Sequence, residues 1–269
     1  MGSLKTVALA AAVMAALAPQ ATRAADMPPP IRMPEIEEYG GWYLRGDIGM
    51  SNQKLKRLEH VLFTTATDFV WLDKGGFDSA PLFGLGIGYK YNNWLRFDLT
   101  GEYRGKADFH ALDQFDNGGV TNTNDYTGSK SEWLFLANMY FDLGTWKSIT
   151  PFVGAGIGTT HNTISHFRDT NVIAGGGAYA GTGTKWDFAW ALHAGLAYDV
   201  TQNFTIELAY RYLNLGDART GILTNLDGTC TACQPMHFNG ITSHDVKLGV
   251  RWMFADSFND YQPPLIRKY

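Results

Sequence analysis

Side chains that can donate and accept protons recur at two-residue spacing, with both signs of charge close together. The clearest run is Arg96, Asp98, Glu102 and Arg104. Carboxylates beside guanidinium groups could serve as general acid, general base and charge-stabilising group. The same spacing also arises where charges on one strand face are buried and must be neutralised by partners. Similar residues occur at other positions, namely Arg45, Asp47, Glu207, Arg211, Asp245, Lys247 and Arg251.

The histidines are candidates for hydrolysis and for metal binding. None of the 7 is followed two positions later by serine, so the chain lacks the His-x-Ser pair of lipid-deacylating barrels. Several fall in or directly beside segments that we expect to be loops, where histidine is usually a polar surface residue: His60, His110, His161, His166 and His237. We expect no enzyme, no catalytic residue, no metal and no cofactor, with metal capture by these residues as an alternative.

Two further motifs carry possible chemistry. Cys230 and Cys233 form a CTAC motif, and in an oxidising compartment two such cysteines usually pair, so we predict a disulfide. A zinc site would need two more ligands, and only His237 is close in sequence. The glycine-rich segment 174–183 lacks the lysine and the following helix of a phosphate-binding loop, so we interpret it as a flexible loop.

The start of the chain has the composition of an export signal. Lys5 precedes an apolar run over 6–18 that is too short to span a membrane as a helix, and small residues at positions 22 and 24 suit cleavage after Ala24. An uncleaved anchor is the alternative. Residues 25–40 contain repeated prolines and predict an extended leader. Removing Lys5 and Arg23 changes the formal charge from −4 to −6, which gives no reason to expect nucleic-acid binding.

Beyond the leader, apolar and polar residues alternate with the period of a β-strand. In the segment 94–105, Leu95, Phe97 and Leu99 alternate with Arg96 and Asp98. We predict eight such strands, at 41–50, 80–91, 94–105, 131–143, 150–162, 185–200, 204–215 and 243–254. The links alternate between long (54–79, 106–130, 163–184 and 216–242) and short (92–93, 144–149 and 201–203).

Alternating long and short links with an even strand count predict an all-β fold, an antiparallel up-and-down transmembrane barrel with four long extracellular loops. No later run of apolar residues is long enough for a membrane helix. A soluble barrel with its apolar face inward is the alternative. The export signal, the aromatic residues at strand ends and the paired charges favour the membrane barrel, because a narrow closed lumen is filled by side chains. Glycines in the second and fifth strands should make room there for long Arg and Lys side chains.

Four segments resemble a known family: GWYLRGDIGMS, GLGIGYKYNNWLRFDLTGEYR, TPFVGAGIG and HDVKLGVRWMF. They are similar to the OmpA-like barrel proteins of alpha-proteobacteria, which include the surface antigens called outer-membrane immunogenic proteins. The resemblance covers about residues 41–254. It implies that Phe254, at the end of the last strand, is read by the barrel-assembly machinery, although fifteen residues follow it.

Some relatives in that family are joined covalently to peptidoglycan through a mature N-terminus that begins Ala-Asp. Cleavage after Ala24 would leave Ala25-Asp26, so the resemblance implies an attachment there. We therefore divide the chain into a signal peptide (1–24), a periplasmic leader (25–40), an outer-membrane barrel (41–254) and a periplasmic extension (255–269).

The expected function is that of a structural surface protein of a Gram-negative outer membrane that contributes to envelope integrity, with both termini in the periplasm. Expected partners are outer-membrane lipids and lipopolysaccharide, the assembly machinery and peptidoglycan, and the protein is expected to be a monomer. The alternatives are a surface protein that binds haem or a host, and a small diffusion porin.

Overall fold

The computed structural model describes residues 40–173, 175–230 and 232–254, and nearly all of them lie in β-strands. The strands are β1 (Gly41–Lys54), β2 (Arg57–Glu59), β3 (Thr67–Phe77), β4 (Ala80–Lys90), β5 (Leu95–Asp116), β6 (Thr121–Asp142), β7 (Ile149–Asn171), β8 (Gly177–Ala180), β9 (Gly183–Asp199), β10 (Phe204–Asn225) and β11 (Pro235–Met253); one short helix, α1, spans Val61–Thr65. Within these described residues, no helix has the length and apolar character needed to cross a membrane.

Eight of the strands form a closed antiparallel ring in the order β1, β4, β5, β6, β7, β9, β10, β11. Closure is made by β1 and β11, whose register pairs Tyr43 with Met253 and Lys54 with Thr242. Every strand of a closed ring has two neighbours, so none of the eight presents an unpaired edge. The predicted eight-stranded up-and-down barrel is therefore confirmed.

Short links meet at one rim, which we call the turn end, at 91–94, 143–148 and 200–203. The side-chain oxygen of Asn92 accepts hydrogen bonds from the backbone N–H groups of Trp94 and Leu95, at 3.0 and 2.8 Å. Thr201 Oγ1 accepts from the N–H groups of Asn203 and Phe204 in the same way. These side chains replace backbone partners in tight turns, as Asn and Thr commonly do.

The opposite rim, the loop end, differs from the sequence expectation in how far the strands continue. The strands β5 and β6 run well past the expected ends and are joined at 117–120. β3 extends the ladder on β5, and β8 lies between β7 and β10 within the glycine-rich segment that we expected to be a flexible loop. Inward-facing apolar residues recur along this extension, so its strands gain a core of their own, and pairing satisfies their backbone groups.

The outward faces near the turn end carry an apolar belt. On β6 the belt consists of Trp133, Phe135, Met139 and Phe141. On β4 it includes Leu85, whose side chain is 75% exposed. Aromatic residues border the belt on both sides, at Trp42, Tyr91, Trp94, Tyr198 and Trp252 towards the turn end and at Tyr103, Trp133, Trp186 and Tyr210 towards the loop end. An exposed apolar band with aromatic girdles is the surface of a membrane barrel, which excludes the soluble alternative.

The barrel is taller than this belt. With 22 residues in β6, ~3.3 Å per residue and a tilt of ~40° give a height on the order of 55 Å, against an apolar band of ~25 Å. The loop-end half therefore projects beyond the belt as a walled extension of the barrel.

Glycines on β4 and β7 do make room inside the barrel, but mainly for aromatic and amide side chains. A Cβ atom at Gly88 would overlap the ring of Tyr43, and one at Gly154 would overlap the ring of Tyr140. Among the basic residues, Arg45 benefits, since its Cγ would lie 3.1 Å from a Cβ at Gly86. The expectation that these glycines make room for long basic side chains therefore holds for Arg45, while at Gly88 and Gly154 aromatic rings occupy the space.

Candidate functional site

The interior at the level of the belt is occupied by charged side chains. The sequence-predicted residues all point inward and none is more than 8% exposed: Arg45, Asp47, Arg96, Asp98, Glu102, Arg104, Glu207, Arg211, Asp245, Lys247 and Arg251. Lys130, Glu132 and Asp142 belong to the same network. Together these residues, the lumen network, contain as many basic as acidic side chains, so the buried charge is balanced.

Arg104 is the centre of the network. Its Nη1 and Nη2 atoms donate to the two carboxylate oxygens of Asp245 at 2.8 and 3.0 Å, and its Nε atom donates to Glu132 at 2.7 Å. Arg211 Nη2 donates at 2.7 Å to Asp245 Oδ2, the oxygen that also accepts from Arg104 Nη1, and it donates to Glu102 as well. Bidentate contacts of this kind are the strongest ion pairs in proteins, because the planar fork matches the carboxylate.

Nearer the turn end, Arg45 and Arg96 share Glu207 as a partner. The Arg96 guanidinium lies between two rings, 4.3 Å from the centroid of Tyr140 and 4.7 Å from that of Phe152. A guanidinium group stacks favourably on aromatic faces when it is removed from water. These rings also occupy the space beside the charges, so the network and its aromatic neighbours fill the cross-section.

This arrangement does not suit acid–base chemistry. Each carboxylate is held by a basic partner and is largely shielded from solvent. Asp142 borders a cavity of about 370 Å³ at the turn end, where Arg96 donates to it at 3.1 Å. Sequence reasoning left Lys130, Glu132 and Asp142 out of the network. The predicted fourth strand begins at residue 131, so Lys130 falls in the preceding link, whereas β6 already includes it. Its two-residue spacing from Glu132 is the sequence signal that would place it on the inward face.

Above the network, towards the loop end, the interior becomes apolar and aromatic. The loop-end cluster consists of Phe77, Phe109, Tyr126, Phe167 and Phe238, all at most 8% exposed. Phe238 is central, with ring centroids 5.0 Å from Phe109 and 6.0 Å from both Phe77 and Phe167. The extension beyond the belt is thus packed like the core of a water-soluble domain.

A cavity of about 490 Å³ opens at the loop end above this cluster; we call it the mouth pocket. One wall is aromatic: Phe63 of α1 stacks on Phe69 with ring centroids 5.0 Å apart. Trp71, which does not line the cavity, meets both rings edge-on at 5.1 Å. Tyr126 connects this wall to the cluster below, with its ring 6.1 Å from Phe63.

The pocket floor holds two carboxyl groups without a basic partner. Asp113 is fully buried; its Oδ2 atom accepts from the Tyr126 hydroxyl at 2.6 Å and its Oδ1 atom from the Asn124 N–H at 3.2 Å. Asp169 is partly buried, and its Oδ1 atom is shielded from solvent and has no hydrogen-bond partner among the described residues. Sequence reasoning missed both, because they lay in segments assigned to loops.

Burial is the main cause of unusual ionisation in this pocket. Desolvation, followed by repulsion from Asp113, raises the pKa of Asp169 to about 7. Desolvation also raises the pKa of Asp113, against the hydrogen bonds from Tyr126 and Asn124. Two neighbouring carboxyls with little solvation are difficult to ionise together.

The remaining sequence candidates lie elsewhere. Cys230 and Cys233 are joined by a disulfide in the link between β10 and β11. The histidines that we expected in loops mostly lie on strands, with His110 on β5 contacting Asp125 and His161 on β7 packed against Trp186. Across the part of the chain that the structure describes, no group of three or more His, Cys, Asp or Glu residues could hold a metal ion.

Phe254 follows β11, and its N–H donates to the backbone oxygen of Trp42 at 2.9 Å, where the ring closes. Its side chain is exposed on the belt. The predicted attachment residues Ala25 and Asp26 lie outside the described residues, as does the extension 255–269.

A closed barrel with an apolar belt outside and balanced charges inside defines a membrane-spanning β-barrel. Residues 7–254 match the model of the family described as outer membrane protein beta-barrel domain, and the chain belongs to that family. It is thus a β-barrel protein of a Gram-negative outer membrane, as the sequence resemblance indicated.

Relatives with known sequences support this membership. An uncharacterised protein of Brucella abortus is 30% identical over 246 residues, which cover 80% of this chain and 85% of the relative. The "putative adhesin RP828" of Rickettsia prowazekii is 26% identical over 218 residues, covering 78% and 86%. Among solved structures, Neisserial surface protein A is matched with a TM-score of 0.43 and 16% identity, over 81% of this chain and 100% of that one.

Proposed function

We propose that this protein is a non-conducting structural barrel that stabilises the outer membrane and has no enzymatic activity. The single observation that carries the proposal is the lumen network, in which balanced ion pairs and aromatic rings fill the barrel at the level of the belt. Ions crossing such a lumen would have to displace paired charges that are already desolvated. The wide outward belt gives the protein a large contact area with lipid and lipopolysaccharide.

The orientation follows from the same architecture. In outer-membrane barrels the short turns are periplasmic and the longer links are outside. The turn end, with both ends of the barrel segment, is therefore assigned to the periplasm, and the loop end to the exterior. Phe254 lies where a periplasmic assembly machinery could read the last strand as it pairs with β1.

Conductance tests the closed lumen. Purified protein in a planar bilayer should give no steady channels, because the network blocks the lumen. A variant with Arg104→Ser and Arg211→Ser, refolded and checked for barrel mobility on a gel, provides the control, since it removes two large side chains from the cross-section. Regular single-channel steps from the wild-type protein would contradict the proposal and support the diffusion porin.

The structural role has its own test in cells. Deletion of the coding sequence should increase sensitivity to detergent and release of outer-membrane vesicles, and expression of the intact chain should restore both. A deletion strain with a normal envelope under osmotic and detergent stress would remove the structural role while leaving the closed lumen intact.

The tether is a separate part of the proposal. The leader after Ala24 begins Ala25-Asp26, and its proline-rich residues 25–40, at ~3.1 Å each, could span on the order of 50 Å. We expect muramidase digestion of cell wall to release barrel protein with a muropeptide on the Ala25 amine. Asp26→Lys should reduce this product without changing the barrel, whereas Glu35→Lys, in the same leader, should not. Wild-type protein with only free Ala25 termini would exclude the tether.

A second candidate function is binding to a surface outside the cell. Several large apolar side chains beyond the belt are exposed near the loop end, including Val172 at 62%, Ile173 at 57% and Leu226 at 68%. Apolar groups of this kind outside the lipid region are typical of protein-binding surfaces. Beads coated with the protein should then adhere to host cells, and replacing Val172, Ile173 and Leu226 by serine should reduce adhesion.

A further inference from the structure

The mouth pocket has the composition of a binding site that no part of the structural role explains. Its volume of about 490 Å³ falls in the range of small-molecule sites, which are mostly apolar with a few placed polar groups. Here the apolar part is the aromatic wall formed by Phe63 and Phe69, and the polar part includes the pair Asp113 and Asp169. We propose that the mouth pocket binds a small organic cation, an ammonium or guanidinium group on an aryl or alkyl stem.

The charge of the floor selects the sign of the ligand. In the lumen network every carboxylate has a basic partner. No Lys or Arg is among the described residues that shift the pKa of Asp113 or Asp169. Arg168, which precedes Asp169 on β7, is exposed and lies on the opposite face of the strand. A ligand cation would therefore supply the charge that the protein leaves out at this level of the barrel.

The hydrogen bonds of the floor also leave its negative charge for the ligand to neutralise. Asp113 is already bonded to Tyr126 and Asn124, while the Oδ1 atom of Asp169 is desolvated and unpaired. Since the Oδ1 atom is shielded even from water, a ligand cation would act from the cavity on the charge of the carboxylate, and such attraction is strong where solvent is scarce.

The walls select an organic cation over a metal ion. The ring faces of Phe63 and Phe69 can pack against an aryl or alkyl stem and attract its positive head. Calcium takes six or more oxygen ligands, and no three of the described His, Cys, Asp or Glu residues are grouped to hold a metal ion.

Other titratable groups face the pocket and must be considered in any pH dependence. His60, the cap of α1, and Asp116, at the end of β5, line it together with Asp113, Tyr126 and Asp169. Burial lowers the pKa of His60, and its Nδ1 atom accepts from the Leu62 N–H at 3.4 Å, so it adds little positive charge near neutral pH. Asp169 is therefore the group that changes charge near pH 7.

Titration calorimetry on the full chain in phospholipid nanodiscs tests the proposal, with 2-phenylethylammonium as the probe and 2-phenylethanol as its neutral counterpart. The ammonium should bind, and its Kd should rise roughly tenfold from pH 8 to pH 6, because protonation of one carboxyl removes most of the competent form. The alcohol should bind more weakly and without pH dependence. Equal affinity for the two probes would overturn the proposal.

Matched variants separate the site from the fold. Asp169→Asn should weaken ammonium binding at least tenfold at pH 8 and remove its pH dependence. Asp108→Asn, on the exposed face of β5 near the same rim, should preserve both. Asp113→Asn gives a second test if Asp169→Asn refolds poorly, and unchanged affinity in a folded Asn variant would exclude the site.

A further titration tests whether the bound cation is a free small molecule or a lysine side chain of a peptide. A short peptide with one lysine, Gly-Lys-Gly, is titrated alongside the free amine. Binding of the peptide without binding of 2-phenylethylammonium would mean that a protein side chain is the ligand, which contradicts the small-molecule proposal. Neither result affects the conductance test, so the two proposals fail independently.

Discussion

At the scale of single residues, the buried charges in this barrel are stabilising only as a set. Removing a carboxylate or guanidinium group from water costs several kcal/mol, and a close partner recovers that cost when the geometry is good. Asp245 meets the condition fully, since Arg104, Arg211 and Ser243 all donate to it. Deleting one basic group therefore leaves several acidic groups partly unpaired.

We predict that Arg104→Met lowers the free energy of unfolding by about 3–5 kcal/mol, because Asp245, Glu132 and Glu102 would keep their burial and lose a partner. Urea unfolding in detergent micelles, followed by tryptophan fluorescence, measures this change.

Arg57→Ala serves as the control, because the ion pair of Arg57 with Glu59 is exposed, with 68% and 44% of the two side chains accessible. Its loss should cost no more than about 1 kcal/mol. Equal effects of the two variants would show that the lumen network does not stabilise the barrel.

Asp169 illustrates the opposite case, a buried carboxyl that weakens the fold. Its pKa is raised to about 7 in the folded state, against ~3.9 when unfolded. The folded protein accommodates the protonated carboxyl better than the ionised one. The contribution of this group to the free energy of unfolding is therefore fully present below about pH 4 and is lost as the pH rises through 7. We predict that Asp169→Asn removes this pH dependence and stabilises the protein at pH 8 by roughly 2 kcal/mol, allowing for its partial exposure.

The measurement is a series of urea midpoints from pH 5 to pH 8 for the wild type, Asp169→Asn and Asp108→Asn. The Asp108 variant should follow the wild-type curve. If Asp169→Asn also follows it, the carboxyl is better solvated than the structure indicates.

At the scale of elements, the last strand has two tasks, to close the ring and to present its end to the assembly machinery. β11 pairs with β1 over twelve positions up to Met253, and the following residue, Phe254, bonds to Trp42. We predict that Phe254→Ala slows assembly into the outer membrane more than Tyr269→Ala does, because Tyr269 belongs to the extension beyond the barrel. Folded yield in pulse-labelled outer membranes measures this, and equal yields would refute it.

At the scale of the whole molecule, the barrel consists of two levels held by different forces. The belt level is charged inside and apolar outside, as a protein surrounded by lipid requires. The loop-end level is apolar inside around Phe238, and Lys130 connects the two, with its Nζ atom 5.9 Å from the ring of Phe77. The hydrophobic effect stabilises the second level, because its outer surface faces water.

We predict that Phe238→Ala loosens the loop-end level alone. The cavity should cost about 3–5 kcal/mol locally, and amide hydrogen exchange should accelerate in residues 107–126 while residues 95–103 and 133–141 stay protected. Phe188→Ala, on the belt, is the control, since its side chain is 58% exposed and packs into no interior cluster. Faster exchange throughout the barrel in Phe238→Ala would mean that the two levels unfold as one.

The sequence by itself determined the strand number, the ring order and the charged interior of the belt level. Strict alternation in segments such as 94–105 requires two faces, and Asn92-Asn93 permits only a tight turn, so neighbouring strands must be antiparallel. Arg96, Asp98 and Glu102 lie on the face opposite the apolar one. When the apolar face is turned to lipid, this charged face must line the interior, so the sequence indicates that these charges are buried.

Only the tertiary structure decided what lies beyond the belt and which charges meet. The pairing of Arg104 with Asp245 joins residues that are far apart in sequence, and it depends on the register of three strand pairs, β5 with β4, β4 with β1 and β1 with β11. In the extension the alternation of Ala107, Phe109 and Ala111 was hidden among polar residues, because a wall with water outside needs no apolar outer face. The mouth pocket follows from the same cause: Asp113 and Asp169 face each other only because both strands continue past the membrane and the ring stays closed.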